Sequence, residues 1–312
     1  MSGLPLFLSE ADVQQLLAPG DAVEAVEQSF ARMAHGGVDI APRRRLKLDQ
    51  GRLADMAASD LGLGYAGAKV YAGFGEGASF VVVLFAVDRP ELVAVLEADW
   101  LGRLRTGAAS GVAARHLARE GATTLGVIGC GDQAETQVAC IRAAVPSIER
   151  VVAYCRTERT LQEFCKRVGA EAAESHRDAA AQDIVVTITT SRDPVLRGEW
   201  LHAGTLVCAA GANNGSSREL DNVVLERASF VCCDWLQQAR AESADLIEPV
   251  ETGVLDWLEV HELHEVVGGE LPGRQSVDDI VVFKSNGIAA WDVAAAAAAY
   301  ERARERGVGT AL

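Results

Sequence analysis

The stretch TTLGVIGCGDQAETQ, residues 123–137, decides the fold of the middle of this chain. It consists of an apolar run, a glycine elbow and a run of helix-forming residues. Gly129 permits a tight turn out of a strand, and Gly131 lets backbone N–H groups approach a pyrophosphate at the positive end of the following helix. Ala134 stands where a third glycine is common. The stretch predicts a dinucleotide-binding turn, although the same pattern also occurs in ordinary strand-to-helix turns.

Further apolar runs follow the elbow and are separated by helical or loop segments. They cover residues 151–154, 184–188, 206–210 and 230–233. Short apolar runs of this kind are typical of parallel strands that are buried on both faces. We therefore predict an α/β fold in which residues 117–287 form a Rossmann dinucleotide-binding domain.

The end of the second strand of this domain bears on the cofactor. An acidic residue usually holds the adenine ribose of NAD there, but this chain reads Tyr154-Cys155-Arg156-Thr157. Arg156, Thr157 and the nearby Arg159 are available to a 2′-phosphate, which favours NADP(H) over NAD(H). The alternative is that both arginines are solvated at a helix start. The expected cofactor-binding residues are Gly129, Gly131, Asp132, Gln133, Ala134, Arg156, Thr157, Arg159, Thr189 and Ser285.

Composition excludes several classes of protein. With 312 residues the chain is long enough for two domains, and its formal net charge of −15 argues against nucleic-acid or membrane partners.

Seven cysteines without a C-x-x-C arrangement favour a reducing, cytoplasmic setting. The longest apolar run, residues 78–87, is too short to span a bilayer. His261 and His264 lack a third ligand nearby, so we expect a surface helix there and no metal site.

Residues 1–116 and 288–312 are predicted to form a second, α+β domain. Ser9 caps a helix through Leu17, a second helix covers residues 23–34, and strand-like segments lie at residues 44–48, 66–72 and 79–86. An Ala-rich helix at residues 289–304 has the small side chains that allow close packing, and we expect it to return to this domain. This domain should bind the substrate.

Cations among apolar neighbours are the candidate substrate-binding groups. Strand alternation puts Arg44 on the face of Leu46 and Leu48, so Arg44 is expected to point inward. Lys69 lies in an otherwise uncharged run, and Arg105 immediately precedes a helix of small residues. Inward cations of this kind bind a carboxylate, and a guanidinium adds orientation. The alternative for each is a solvated residue.

Asp234 is the acidic candidate because it directly follows the apolar run at residues 230–233. The carboxyl ends of parallel strands are where such sheets bind ligands, so Asp234 is placed to exchange a proton with an amine. A helix N-cap is the other interpretation of this residue.

Across nearly its whole length the chain resembles the ornithine cyclodeaminase and mu-crystallin family. The segments that carry the resemblance are residues 42–46, Gly67-Ala68-Lys69-Val70, Arg105-Thr106-Gly107-Ala108-Ala109-Ser110, the elbow with Gln133-Ala134 and Gln137, Arg218-Glu219-Leu220-Asp221, Pro272-Gly273-Arg274, Phe283-Lys284-Ser285-Asn286-Gly287 and Asp292-Val293-Ala294. The resemblance implies that Arg44, Lys69 and Arg105 bind an amino-acid carboxylate. It also implies that Asp234, with Lys69, is catalytic and acts at the substrate nitrogen, and that the protein is a homodimer whose first domain supplies the interface.

Members of this family transfer a hydride between a nicotinamide and the α-carbon of an amino acid or its imine. Cyclodeaminases carry a glutamate two positions before the methionine that matches Met56, but this chain has Ala54 there, and Asp55 points to the opposite face of a strand. Together with Arg156, this favours an NAD(P)H-dependent reductase of a cyclic 2-carboxylate ketimine of the pyrroline or piperideine type. The alternatives are an ornithine cyclodeaminase, an alanine dehydrogenase-like enzyme and, less favoured, a ligand binder without catalysis. Trp291 and the glycine-rich residues 73–77 depart from the family pattern.

Overall fold

The structure is a computed structural model that describes residues 4–74, 77–89 and 91–312. The chain divides into two compact units: unit 1 comprises Met1–Arg105 and Ile288–Leu312, and unit 2 comprises Thr106–Gly287. The first division falls within a helix, because that helix continues through Arg105, whereas the sequence prediction put the boundary after residue 116. Of the glycine-rich residues 73–77, residues 75 and 76 lie outside the described part of the chain.

The described residues contain fifteen strands and eleven α-helices. The strands are β1 Leu6–Leu8, β2 Val38–Leu48, β3 Gly51–Asp60, β4 Tyr65–Phe74, β5 Gly77–Ala86, β6 Leu92–Glu97, β7 Thr124–Ile128, β8 Arg150–Tyr154, β9 Glu171–Ala172, β10 Ile184–Thr187, β11 Leu206–Ala209, β12 Phe230–Cys233, β13 Val260–Glu262, β14 Val281–Lys284 and β15 Thr310–Ala311. The helices are α1 Glu10–Leu16, α2 Pro19–Ala34, α3 Asp99–Leu117, α4 Ala134–Ala144, α5 Glu158–Val168, α6 His176–Ala180, α7 Asn222–Glu226, α8 Leu236–Glu242, α9 Ala244–Glu251, α10 Leu263–Val267 and α11 Ala289–Arg306. None of these helices is both long enough and apolar enough to cross a membrane.

Unit 2 is built on an eight-stranded sheet with the order β13-β12-β14-β11-β10-β7-β8-β9. Every pairing in it is parallel, and β10, β11, β12 and β14 are buried along nearly their whole length. Strands buried on both faces explain the continuous apolar runs in the sequence. The predicted α/β Rossmann fold is confirmed. Because all strands run in the same direction, the residues that follow them gather at one edge of the sheet.

Unit 1 contains a seven-stranded sheet with the order β15-β1-β6-β5-β4-β3-β2. Helices α2 and α11 pack together, and α11 lies against β3 and β4. On this inner face Ala54, Met56 and Ala58 are buried, and a Cβ atom added at Gly67 would lie 3.2 Å from Val293 of α11. The small residues of sheet and helix therefore allow the close packing that the Ala-rich sequence predicts.

Several local predictions need correction. Strands β3 and β6 were not predicted, since glycine, alanine and charged residues interrupt the apolar pattern of β3. Arg105 lies inside α3 rather than before a helix, because the helix already begins at Asp99. His261 belongs to strand β13, where its ring stacks on Phe230 with the centroids 4.9 Å apart, so only His264 lies in a helix.

Candidate functional site

The glycine elbow joins β7 to α4 in a conformation that requires glycine. Gly129 has a φ of +108°, and a Cβ atom there would lie 2.3 Å from the Ile188 carbonyl oxygen. The Gly129 N–H donates to the Tyr154 carbonyl at 2.9 Å and ties the elbow to the neighbouring strand β8. A Cβ atom at Gly131 would meet nothing within 4 Å, and Gln133 at the start of α4 makes no side-chain cap. The start of the helix therefore has open space beside Gly131 and no side-chain cap from Gln133, an arrangement that suits a phosphate.

A cavity of about 260 Å³ opens at this edge of the parallel sheet. Its lining includes five of the predicted cofactor residues, which follow β7, β8 and β10: Gly129, Gly131, Arg156, Thr157 and Thr189. The hydroxyl of Thr157 does not cap α5, although Thr157 is its N-cap residue. A cavity over glycine backbone, with a guanidinium and hydroxyls in its wall, fits part of a nucleotide.

The other predicted cofactor residues lie elsewhere in unit 2. Asp132, Gln133 and Ala134 form the start of α4 and do not line the cavity. Arg159 is 86% exposed, lies 3.7 Å from Glu163 within α5 and does not line the cavity, and its contact with a 2′-phosphate stays a prediction. Ser285, the remaining residue of the set, is buried, and its hydroxyl lies 3.5 Å from an Asp234 oxygen.

His176 lines the same cavity and was not predicted. Its ring packs edge-on to Tyr154 at 4.5 Å and stacks near Trp200 at 6.4 Å. Burial, assisted by the positive charge of Arg156, lowers the pKa of His176 below its usual value. A neutral imidazole is therefore favoured in the cavity wall near pH 7. No pattern around the short helix α6 identifies this residue from sequence.

Glu219 is a fully buried carboxylate that joins the loops after β10 and β11. It accepts hydrogen bonds from the Thr189 N–H at 2.7 Å, the Gly211 N–H at 2.7 Å and the Ala212 N–H at 3.0 Å. Burial raises the pKa of Glu219, and the positive charge of Lys284 opposes the shift. Glu219 thus fixes the backbone that carries Thr189. The sequence motif contained Glu219, but its role depends on contacts that the motif does not reveal.

Asp234 follows β12 and is held by backbone donors. One oxygen accepts from the Trp235 N–H at 2.9 Å, and the other accepts from the N–H groups of Asn286 and Gly287, both at 2.6 Å. The residue is completely buried, and this burial raises the pKa of Asp234 to about 6. It is therefore charged at pH 7. The predicted location at the edge of the sheet is correct, and the interpretation as an N-cap is wrong because α8 begins at Leu236 with Trp235 as its cap.

In unit 1, Lys69 and Arg105 share one carboxylate. Lys69 Nζ lies 3.1 Å and Arg105 Nε lies 3.0 Å from the same oxygen of Asp292, and all three residues are buried. Burial lowers the pKa of Lys69 to about 8; the nearby Arg105 and Arg43 lower it further, whereas Asp292 opposes the shift. Two of the three predicted cations thus form one cluster.

The prediction that Arg44 points inward is wrong. Its side chain is 73% exposed and forms an ion pair with Asp55 at 2.8 Å on the outer face of the sheet. The register of β2 shifts between Ala41 and Arg44, and Arg45 then pairs with Ala54, whose side chain is on the inner face. The residues that share the face of Lys69 are therefore Arg43 and Arg45. The apolar Leu46 misled the prediction, because it is 49% exposed on the outer face.

Comparisons with known proteins agree with this geometry. The family model described as "Ornithine cyclodeaminase/mu-crystallin family" matches residues 4–307. An alanine dehydrogenase of Archaeoglobus fulgidus is 36% identical over 98% of both chains. A Delta(1)-pyrroline-2-carboxylate reductase of Bacillus cereus is 37% identical over 73% of this chain and 72% of its own. The structure of Thermococcus litoralis Delta(1)-pyrroline-2-carboxylate reductase with NADH and L-proline matches with a TM-score of 0.93 and 30% identity, over 98% of this chain and 100% of that one.

Proposed function

The chain belongs to the ornithine cyclodeaminase/mu-crystallin family, and we propose that it is an NAD(P)H-dependent reductase of a cyclic 2-carboxylate ketimine such as 1-pyrroline-2-carboxylate. The reaction needs a group that binds the substrate carboxylate, a hydride donor and control of charge at the substrate nitrogen. Unit 1 offers the first of these, and unit 2 offers a nucleotide cavity and Asp234.

The observation that carries the proposal is the charge balance of the buried cluster in unit 1. Lys69 and Arg105 are two buried cations, and their shared partner Asp292 supplies one negative charge. Arg105 Nη1 is buried without a hydrogen-bond partner among the described residues. An unpaired buried donor of this kind is costly until a ligand satisfies it. A substrate carboxylate supplies both the missing charge and the missing acceptor, and a guanidinium would fix its orientation.

Unit 2 would hold the cofactor through Gly129, Gly131 and Thr189 at the cavity. When bound, NADPH or NADH supplies the hydride for the imine carbon. We propose that NADP(H) is preferred, because Arg156 and Thr157 line the cavity and no acidic residue ends β8.

The cofactor preference is tested by kcat/KM for NADPH and NADH. Arg156→Ala should weaken the use of NADPH about tenfold or more and leave NADH almost unchanged, since only NADPH carries the 2′-phosphate. Arg177→Ala is the matched control, because this exposed arginine of α6 does not line the cavity. Equal losses with both cofactors would contradict the preference.

We propose that Asp234 acts through its charge. Three backbone N–H groups hold its oxygens, and with a pKa of about 6 it is negative at pH 7. A fixed negative charge favours the protonated imine, which accepts hydride more readily than the neutral form. Proton exchange between Asp234 and a substrate amine stays a prediction, and a pKa of about 6 suits that role as well.

A cyclodeaminase is less well supported by the geometry of β3. The position at which cyclodeaminases carry glutamate is Ala54, and Asp55 is on the outer face in an ion pair with Arg44. An alanine dehydrogenase is the second candidate, because the A. fulgidus enzyme matches 98% of the chain. In this chain that reaction would need the same two features, cations for the substrate carboxylate and a nicotinamide cofactor.

The experiment is a panel of substrates assayed for stoichiometric oxidation of NADPH and NADH. The panel comprises 1-pyrroline-2-carboxylate, 1-piperideine-2-carboxylate, pyruvate with ammonia, pyruvate with methylamine, and ornithine. We expect one of the cyclic imines to give the highest kcat/KM. A higher value with pyruvate and ammonia would select the dehydrogenase, and release of ammonia from ornithine with only trace cofactor would select the cyclodeaminase.

We also propose a homodimer formed through the outer face of the unit 1 sheet. Helix α11 covers the inner face, whereas the outer face carries Leu46, Phe74 and Phe85 with exposures of 49%, 53% and 42%. Large apolar side chains exposed on one sheet face are typical of an interface between protein chains.

A further inference from the structure

Asp292 occupies an unusual place in unit 1. It lies in the first turn of α11, is completely buried, and accepts hydrogen bonds from Lys69 and Arg105 through a single oxygen. Its other oxygen, Oδ2, is buried without a hydrogen-bond partner among the described residues. A carboxylate that served only to satisfy two cations would gain more by giving one oxygen to each.

The surroundings of this carboxylate leave the two cations little freedom. The Arg105 guanidinium lies over the Trp291 ring at 5.9 Å, and Trp291 is itself fully buried against Phe30. Lys69 Nζ lies 5.4 Å from the Phe80 ring centre, and a Cβ atom at Gly102 would approach the ammonium to 2.7 Å. Among the described residues, the acidic group that both cations contact is Asp292, which lies on the tightly packed helix α11.

We propose that Asp292 is a positioning residue for the carboxylate-binding site. Its Oδ1 atom holds Lys69 Nζ and Arg105 Nε close together although the two cations repel each other. The proposal rests on the function proposed above. Because Asp292 binds Arg105 through Nε, the Nη1 atom of the same guanidinium has no partner among the described residues and could bind a substrate. Without the carboxylate, the positive charges of Arg105 and Arg43 would remain near Lys69, and both the position and the protonation of Lys69 would change.

The first test compares Asp292→Asn and Asp292→Glu with wild type. We expect Asp292→Asn to raise KM for the cyclic imine about tenfold or more with a smaller change in kcat, and Asp292→Glu to restore part of the loss. Asp60→Asn is the matched control, since Asp60 is also fully buried in unit 1 but pairs with Arg32, away from the cluster. It should lower the melting temperature without a comparable change in KM.

The second test does not depend on activity. The chain has four lysines, Lys47, Lys69, Lys166 and Lys284, so ¹³C-lysine labelling gives a simple spectrum in which Lys69→Arg assigns the Lys69 signal. Titration of the apoenzyme should show the pKa of Lys69 lower by about one unit in Asp292→Asn than in wild type, with no such shift in Asp60→Asn.

The outcomes separate the two claims. If wild type reduces no imine or keto acid, the proposed function fails, and the NMR titration still decides whether Asp292 sets the state of Lys69. If Asp292→Asn loses thermal stability like Asp60→Asn but keeps the KM and the Lys69 titration of wild type, Asp292 has only a structural role and the inference is wrong. If Asp292→Asn does not fold, both measurements are made on Asp292→Ser, which also removes the charge, and an unchanged KM with an unchanged Lys69 titration there would also overturn the inference.

Discussion

At the scale of single residues, the burial of Lys69 predicts how activity depends on pH. Its pKa of about 8 means that the ammonium loses its charge as the pH rises through 8. Because carboxylate binding needs that charge, we expect kcat/KM for the imine to fall above about pH 8. Lys69→Arg keeps its charge throughout this range, so the variant should lose the decline even if its maximal rate is lower. A decline that persists in Lys69→Arg would assign it to another group.

The same pKa has the opposite effect on stability. Since the folded state lowers the pKa of Lys69 from 10.5 to about 8, the unfolded chain binds more protons between these values, and stability should rise with pH there. Chemical unfolding at pH 7.5 and pH 9.5 measures this change, with Lys69→Met as the variant that lacks the group. The gain in stability between the two pH values should be smaller in Lys69→Met than in wild type, and an equal gain would show that the Lys69 charge is not destabilising.

Asp234 gives a second prediction at this scale. Asp234→Asn removes the negative charge, and its amide cannot accept hydrogen bonds at both ends as the carboxylate does. We expect kcat to fall by about 10²-fold or more, with the dissociation constant of the nicotinamide cofactor within about threefold of wild type. Stopped-flow rates and fluorescence titration of the cofactor provide the two numbers. An unchanged kcat would remove Asp234 from the mechanism.

At the scale of elements, helix α3 contains Gly102, a residue type that lowers the stability of a helix. Its presence here is explained by the space that Lys69 needs. Alanine is better than glycine in a helix by about 1 kcal/mol, yet a Cβ at Gly102 would lie 2.7 Å from Lys69 Nζ. Gly102→Ala should therefore displace the ammonium and raise KM for the substrate. Gly20→Ala in α2 is the control, because a Cβ there meets nothing within 4 Å. Equal KM values in the two variants would show that the glycine is not needed for the cation.

The elements also show what sequence can predict. Strands β8, β10, β11 and β12 were found closely, β12 to the residue, because a strand buried on both faces is apolar throughout. The equally buried β14 was not predicted. β3 was missed because its sequence, GRLADMAASD, shows no regular alternation of apolar and polar residues. One face of this strand is only partly buried, so small and charged residues are tolerated there. The inward assignment of Arg44 failed for a related reason: Leu46 marks the outer face, and apolar residues do not reveal which face a helix covers.

Site residues could be predicted only where a single local sequence pattern identifies them. Gly129 and Gly131 follow from backbone geometry, and Asp234 follows from its place after a strand. The contact between Arg105 and Asp292 joins residues 187 positions apart, and Glu219 acts through the backbone of Thr189. Contacts of that separation depend on the packing of the whole unit, which a single sequence does not display.

At the scale of the whole molecule, the uncovered face of the unit 1 sheet predicts self-association. Leu46→Glu combined with Phe85→Glu places charges on this face and should convert a dimer to a monomer in analytical ultracentrifugation, with both units still folded. Leu258→Glu is the control, because Leu258 is 85% exposed and belongs to unit 2, not to this sheet. A dimer that survives the double substitution would place the interface elsewhere.

The central claim, that Lys69 and Arg105 bind the substrate carboxylate, is tested most directly by removing that carboxylate from the substrate. The measurement is the ratio of kcat/KM for 1-pyrroline-2-carboxylate to that for 1-pyrroline, in wild type and in Arg105→Leu. We expect a large preference for the carboxylate in wild type and a preference reduced about 100-fold in the variant, chiefly through KM. The same ratio in both proteins would contradict the claim.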